Sequence, residues 1–169
     1  MKRKNKKQRL HEKRIRLTNK KLLKKYPFLA PINWFTCSQL SKNDSYYYDY
    51  TALDDMPKGW KKAFGIQLAE DIKKELKEKH IKDYYVMQVK EKYGGLRWYD
   101  NCGLDCIDKY EELSERTCCQ CGKPATLIST GWICPYCDNC AEKLGGRFRK
   151  IETEEIVEFI KGTRIYGYF

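Results

Sequence analysis

Six of the chain's nine cysteines fall within residues 118–140, in the stretch CCQCGKPATLISTGWICPYCDNC. Sulfur at this density, arranged in Cys-x-x-Cys pairs, is metal-binding chemistry. Two intervening residues allow a turn tight enough to bring both thiolates onto one ion, and two such pairs complete a tetrahedron. The first pair is best drawn as Cys118 and Cys121, because Gly122 follows where the chain must turn back, whereas Cys119 is one residue out of phase. The second pair is either Cys134 with Cys137 or Cys137 with Cys140. The latter is favoured, since CDNCAEKLGG reads as a pair at the first turn of a helix that Ala141 and Leu144 continue and Gly145 closes. The expected ligands are therefore Cys118, Cys121, Cys137 and Cys140, with Cys134 in place of Cys140 if the helix starts earlier. The expected ion is a structural Zn2+, because four thiolates leave no coordination position for water. A disulfide framework fits less well: the cysteine count is odd, and no apolar segment follows the basic N-terminus as a secretory signal would require.

The elements that must position this cage can be read on either side of it. Between the two pairs, TLIST followed by GWI reads as a short hairpin turning near Gly131. Knuckle, hairpin and ligands at a helix start make a treble-clef-like finger, with a zinc-ribbon-like arrangement as the alternative. Upstream, Trp60, Phe64, Leu68, Ile72 and Leu76 form an unbroken i, i+4 stripe, which predicts a long amphipathic helix from residue 60 to about 79. Glu70 with Lys74, and Glu75 with Lys79, are expected to pair on its wet side. Residues 83–100 then switch to period two. Tyr85, Met87 and Val89 are expected on one face and Tyr84, Val86 and Gln88 on the other, with a reversal at Gly94 and Gly95 and a return strand through Leu96 and Trp98. A shorter helix through Leu104, Ile107, Tyr110 and Leu113 delivers the chain to the cysteines. Cys37, Cys102 and Cys106 read as buried small hydrophobes. After the finger, Thr153 is a candidate helix N-cap, and TRIYGYF an edge strand or an ordered aromatic tail.

Charge divides the chain unevenly. Residues 1–25 carry thirteen Lys or Arg against the single acid Glu12, so that the rest of a chain of net charge +11 sums to −1. Such a density opposes a stable free helix unless an acidic partner is bound. Pro27 and Pro31, with Phe28, Leu29, Ile32, Trp34 and Phe35, mark where the arm joins the body. In residues 41–59, Tyr46, Tyr47, Tyr48 and Tyr50 sit among Asp44, Asp49, Asp54 and Asp55. Two of these tyrosines are expected to pack inward, and the patch as a whole is a candidate protein-contact surface. The expected organisation is a basic arm at 1–25, an aromatic and proline-rich lead-in at 26–59, and an α+β domain at 60–169. In that domain a small β-hairpin or sheet packs with helices and carries the four-cysteine zinc finger at 117–145. No apolar run approaches the roughly 20 residues of a membrane span, and the expected compartment is the cytoplasm.

The segments VKEKYGGLRWY at 89–99 and TCCQCGKPATLISTGWICPYCDNCA at 117–141 together resemble a family of small, mostly uncharacterised bacteriophage and prophage proteins. In that family a Lys-Glu-Lys-aromatic-Gly turn runs into Leu-Arg-aromatic-Tyr and is followed by a Cys-x-x-Cys-Gly knuckle, a Gly-Trp and a closing Cys-x-x-Cys or Cys-x-x-His. The resemblance covers roughly residues 60–145 and implies a zinc-containing α+β domain, a phage or mobile-element origin and a host-cell cytoplasmic location. It brings no activity with it; inhibition of host defence is an associative extension.

Catalysis is disfavoured. The two histidines, His11 in the arm and His80 at the end of the long helix, are not placed as a base beside the finger, and Asp100, Asp105 and Asp108 are more simply a loop feeding a helix. The leading expectation is a non-catalytic module that binds a host or phage protein or nucleoprotein, using Tyr46, Tyr47, Tyr48 and Tyr50. The alternative is nucleic-acid binding through Lys2, Arg3, Lys4, Lys6, Lys7, Arg9, Lys13, Arg14 and Arg16, which would neutralise phosphates without reading sequence.

Overall fold

A computed structural model describes residues 5–33, 36 and 38–151. Thr153 and the TRIYGYF segment, as well as Lys2, Arg3, Lys4, Trp34, Phe35 and Cys37, lie outside the described residues. The elements, in order, are α1 (Lys6–Lys25), β1 (Ile32–Asn33), β2 (Ser38–Gln39), α2 (Lys58–Glu78), β3 (Val86–Lys92), β4 (Gly95–Asp100), α3 (Asp108–Glu115), β5 (Leu127–Ser129), β6 (Pro135–Tyr136), α4 (Asp138–Leu144) and β7 (Phe148–Lys150). The class is α+β. The strands form antiparallel sheets: β1 with β2, β3 with β4, and a three-stranded sheet in the order β6-β5-β7.

The expected helix stripe is the spine of the core. Trp60, Leu68 and Ile72 are fully buried and Phe64 nearly so, while Leu76 packs at the margin. Each such side chain is worth about 1.5–3 kcal/mol of burial. The stripe meets Leu53, Leu96, Ile107 and Leu113 in one cluster, with the Phe64 and Tyr110 rings 5.6 Å apart. On the wet side the pairing differs from expectation at one position: Glu75 does pair with Lys79 at 2.6 Å, but Glu70 reaches Lys25 of α1 instead of Lys74.

The β3–β4 hairpin keeps the expected strands but not the expected parity along β3. A register shift between Val86 and Gln88 places both Val86 and Val89 in the core and leaves Met87 exposed. One extra residue in a period-two strand reverses every side chain beyond it. The return strand keeps its alternation, with Leu96 and Trp98 buried and Tyr99 exposed. The turn falls one residue earlier than expected, at Tyr93 and Gly94, both left-handed with φ of 54° and 85°, while Gly95 already pairs with Lys92.

The arm behaves otherwise than its charge suggests. It is a helix from Lys6 to Lys25, opened by an Asn5 capping box with Gln8. The acidic partner that its stability calls for is supplied within the chain, by the tyrosine-rich loop. Arg16 pairs with Asp49 and donates to the Ser45 carbonyl at 3.0 Å, and the Asn19 side-chain amide donates to the Tyr48 carbonyl at 3.1 Å. Leu23 and Tyr26 then carry the helix end into the core. Two features that look independent in sequence are thus the two halves of one contact.

Candidate metal centre and charged surface

Four sulfurs converge in the structure, those of Cys118, Cys121, Cys137 and Cys140, all within 4.8 Å of one another. A tetrahedral site with metal–sulfur bonds of about 2.3 Å places its sulfurs about 3.8 Å apart. The Cys121 and Cys137 sulfurs are 3.6 Å apart, so the cage can close on one ion with little movement. Among the described residues this is the one such grouping of metal-competent side chains.

Each half of the cage is built by local backbone geometry. In the knuckle, Cys118 N–H donates to the Lys123 carbonyl at 2.8 Å and Gly122 N–H to the Cys118 carbonyl at 2.9 Å, with Gly122 at φ 81°. A left-handed residue here is what turns the chain back, as the sequence suggests. In the second half, Cys137 is the N-cap of α4, and the N–H groups of Cys140 and Ala141 both donate to its carbonyl at 3.0 Å. The return strand of the hairpin between them is Pro135–Tyr136 and not the expected GWI, whose Trp132 lies in the β5–β6 connection with 79% of its surface exposed.

What fixes the knuckle to the body has no signature in the spacing of the cysteines. Gly59, in the first turn of α2, donates its N–H to the Cys119 carbonyl at 2.9 Å, and the Trp60 indole N–H donates to the Thr117 carbonyl at 2.7 Å. The two backbones touch. A Cβ on Gly59 would lie 2.7 Å from the Cys119 carbonyl carbon and closer still to the Cys118 oxygen, and one on Gly122 would lie 2.6 Å from the Gly59 oxygen. The four-cysteine cage and the long helix are therefore one packed unit joined backbone to backbone.

Electrostatics inside the cage favour a bound cation. At Cys121, burial opposes ionisation, yet the Lys123 N–H and the neighbouring thiols hold the thiol below its ordinary value. Burial raises Cys137 despite a hydrogen bond from the Cys140 N–H, and it pushes Cys140 up to about 12 with the help of the crowded thiols. Four thiolates cannot share so small a space without a positive charge among them, and a divalent soft metal ion supplies one.

The other cysteines divide. Cys119 and Cys134 are buried beside the cage, each with 5% of its surface exposed, and neither joins the ligand grouping. Cys106 is half-buried, but Cys102 is exposed, against the expectation of a buried hydrophobe. Asp100 and Asp105 have structural employment. Asp100 accepts from the N–H groups of Cys102 and Gly103 at 2.7 and 2.6 Å, and Asp105 pairs with Lys79 at 2.8 Å.

The four tyrosines of the candidate protein-contact patch are not equivalent. Tyr47 is buried and Tyr48 half-buried, their rings edge to face at 4.9 Å. Tyr50 is 38% exposed and donates its hydroxyl to Asp55, so Tyr46, at 72%, is the one ring held mostly in solvent. The basic helix keeps its charge on view. Lys6, Lys7, Arg9, Lys13 and Arg14 are all exposed and form no ion pair with another described residue, whereas Arg16 is committed to Asp49. No helix among the described residues is long and apolar enough to cross a membrane. Comparison of the chain with protein-family models, with curated proteins and with solved structures finds no match.

Proposed function

We propose that this chain is a non-catalytic nucleic-acid-binding protein whose α+β body is clamped by zinc and presents a basic helix to phosphates. The observation that carries the reading is α1 itself: a capped helix, docked along one flank, with Lys6, Lys7, Arg9, Lys13 and Arg14 left open and unpaired among the described residues. A pre-ordered helix of this charge meets a polyanion without first losing the entropy of folding, and its contacts set affinity and salt dependence without selecting sequence. The protein-capture reading, which leads on sequence alone, loses surface once Tyr47 is buried and Tyr50 is tied to Asp55.

The four-sulfur grouping supports zinc over harder ions, because tetrathiolate sites select soft or borderline metals. The order of knuckle, β5–β6 hairpin and ligands at the start of α4 supports a treble-clef type of finger. The metal's role is to hold the knuckle against α2 and so keep the body rigid. In the setting that the phage resemblance implies, the protein acts in the host cytoplasm on phage or host nucleic acid.

The test is direct. Binding of labelled RNA and DNA is measured as a function of salt for the parent protein and for a variant with Lys6, Lys7, Arg9, Lys13 and Arg14 all replaced by Gln. Parent binding that weakens steeply with salt, and a variant with lower affinity and a slope reduced by about 0.7–0.9 per lost phosphate contact, is the expected outcome. Equal affinity and slope for the two proteins overturns the proposal.

A further inference from the structure

The β3–β4 hairpin has one face in the core and one face open. On the open face the cross-strand pairs are Gln88 with Tyr99 and Lys90 with Arg97, followed by Lys92, while the acid of this stretch, Glu91, is turned to the other side and caps the turn by accepting the Gly94 N–H at 2.7 Å. Arg97 is held by Glu111 at 3.4 Å and Glu115 at 3.9 Å, which leaves Lys90 and Lys92, beside Tyr99, as the cations of this surface with no acidic partner among the described residues. Lys90 lies 4.9 Å from the Tyr99 ring centroid and Lys92 5.5 Å from that of Tyr93.

The tip of the hairpin and the β5–β6 connection beside it add one ring each that folding does not use. Tyr93 is 76% exposed and Trp132 79% exposed. They belong to one corner of the molecule: Ile133, next to Trp132, packs so closely on the tip that a Cβ on Gly94 would lie 3.2 Å from its Cγ2. Tyr93 also occupies a costly backbone position. Its φ of 54° is one at which Asn or Gly would sit in a tight hairpin, and an aromatic residue there is strained. Burial does not repay that cost, since the ring stays in solvent. Exposed rings with lysines beside them match the chemistry of unpaired nucleotides, whose bases stack on aromatic faces while phosphates take up the positive charge.

We infer that the open face of the β3–β4 hairpin, extended by Tyr93 and Trp132, is a stacking platform for the unpaired bases of a single-stranded nucleic acid. The inference rests on the nucleic-acid reading above and deepens it: α1 supplies charge without discrimination, and the platform supplies a preference for single strands over duplex. Tyr93 and Trp132 each take the face of a base, and Lys90 and Lys92 neutralise the phosphates between them. A duplex, with its bases already stacked on one another, gains nothing from the rings.

The experiment compares Tyr93→Asn, Trp132→Ala and Trp132→Phe with the parent chain in its metal-bound form. Tyr93→Asn removes the ring and keeps the left-handed turn, so it tests the ring without disturbing the hairpin. The probes are labelled mixed-sequence RNA and DNA oligonucleotides of about 12 nucleotides, within the reach of one small binding domain, and a duplex of the same sequence. Tyr93→Asn and Trp132→Ala are each expected to weaken single-strand binding by about 5- to 100-fold with the salt slope unchanged, while Trp132→Phe retains most of it and duplex binding does not move. The single strand that loses more, RNA or DNA, identifies the preferred sugar. Ring-deleted variants that bind single strands as the parent does, while the α1 glutamine variant fails to bind, overturn the platform and leave the nucleic-acid reading standing. A parent chain that binds neither strand nor duplex overturns both.

Discussion

Replacing Gly59 by alanine adds one methyl group, and the structure gives that methyl nowhere to go. It would lie 2.7 Å from the Cys119 carbonyl carbon, with the Cys118 oxygen closer still, and both neighbours are backbone atoms held by the knuckle. Moving α2 away from the knuckle would break both the Gly59 N–H to Cys119 carbonyl hydrogen bond at 2.9 Å and the Trp60 indole bond to the Thr117 carbonyl at 2.7 Å. Overpacking of this kind costs about 1–3 kcal/mol, and the lost hydrogen bonds about 1 kcal/mol each, against a gain of about 1 kcal/mol from alanine's better helix propensity. The net loss is about 2–4 kcal/mol. The same helix contains its own control. A Cβ on Gly65 would meet nothing closer than the Lys61 Cγ at 3.6 Å and the Leu53 methyls at 3.8 Å, ordinary contact distances. Gly65→Ala should therefore leave stability unchanged or raise it by about 0.5–1 kcal/mol. Urea unfolding of the metal-bound protein reads both values, and competition with a chromogenic chelator reads the metal affinity. A Gly59→Ala protein as stable as Gly65→Ala, with unaltered metal affinity, would refute the packing of knuckle on helix.

Two further outcomes follow from the same geometry. Glu75, buried at the end of α2, accepts from the Asp105 and Cys106 N–H groups at 2.9 and 2.8 Å and pairs with Lys79; burial opposes its charge, but these partners prevail and hold its carboxyl down at about 2. A carboxylate lowered on folding stabilises above its unfolded value and ceases to do so as pH falls through its folded value. Glu75→Gln should thus cost about 2 kcal/mol at neutral pH, with the difference from the parent shrinking between about pH 4.5 and pH 2; a gap that stays constant down to pH 2 contradicts the assignment. Among the cysteines, Cys119→Ala and Cys134→Ala should each keep one metal per chain by elemental analysis, whereas Cys140→Ser should lose it or bind it far more weakly. Retention in Cys140→Ser together with loss in Cys134→Ala would move the ligand to the earlier position.

The sequence makes legible what depends on short spacing. The Trp60–Ile72 stripe is buried as its period requires, and the four sulfurs that the knuckle and helix-start patterns single out are the four that converge. What stays hidden depends on distant partners or on a single residue of slippage. The bulge between Val86 and Gln88 reverses the facing of Met87, and no composition signal marks it. The order of α1 rests on Asp49, Ser45 and the Tyr48 carbonyl, about 30 residues away, so a count of charges along the helix underestimates its stability. Gly59 falls just ahead of the expected helix at residue 60, and nothing in its neighbouring sequence marks it until the Cys118 and Cys119 backbone is seen against it. Tyr93 illustrates the same limit at a turn: two glycines follow it, yet the left-handed pair begins on the tyrosine.

The rigidity proposed for the body depends on Cys118, Cys121, Cys137 and Cys140 closing around one ion. X-ray absorption at the zinc edge of the purified protein tests that closure most directly. One zinc per chain is expected, with a shell of four sulfurs at about 2.3 Å and no nitrogen or oxygen neighbour. A shell containing nitrogen or oxygen, or a protein that folds fully with no metal bound, would contradict it.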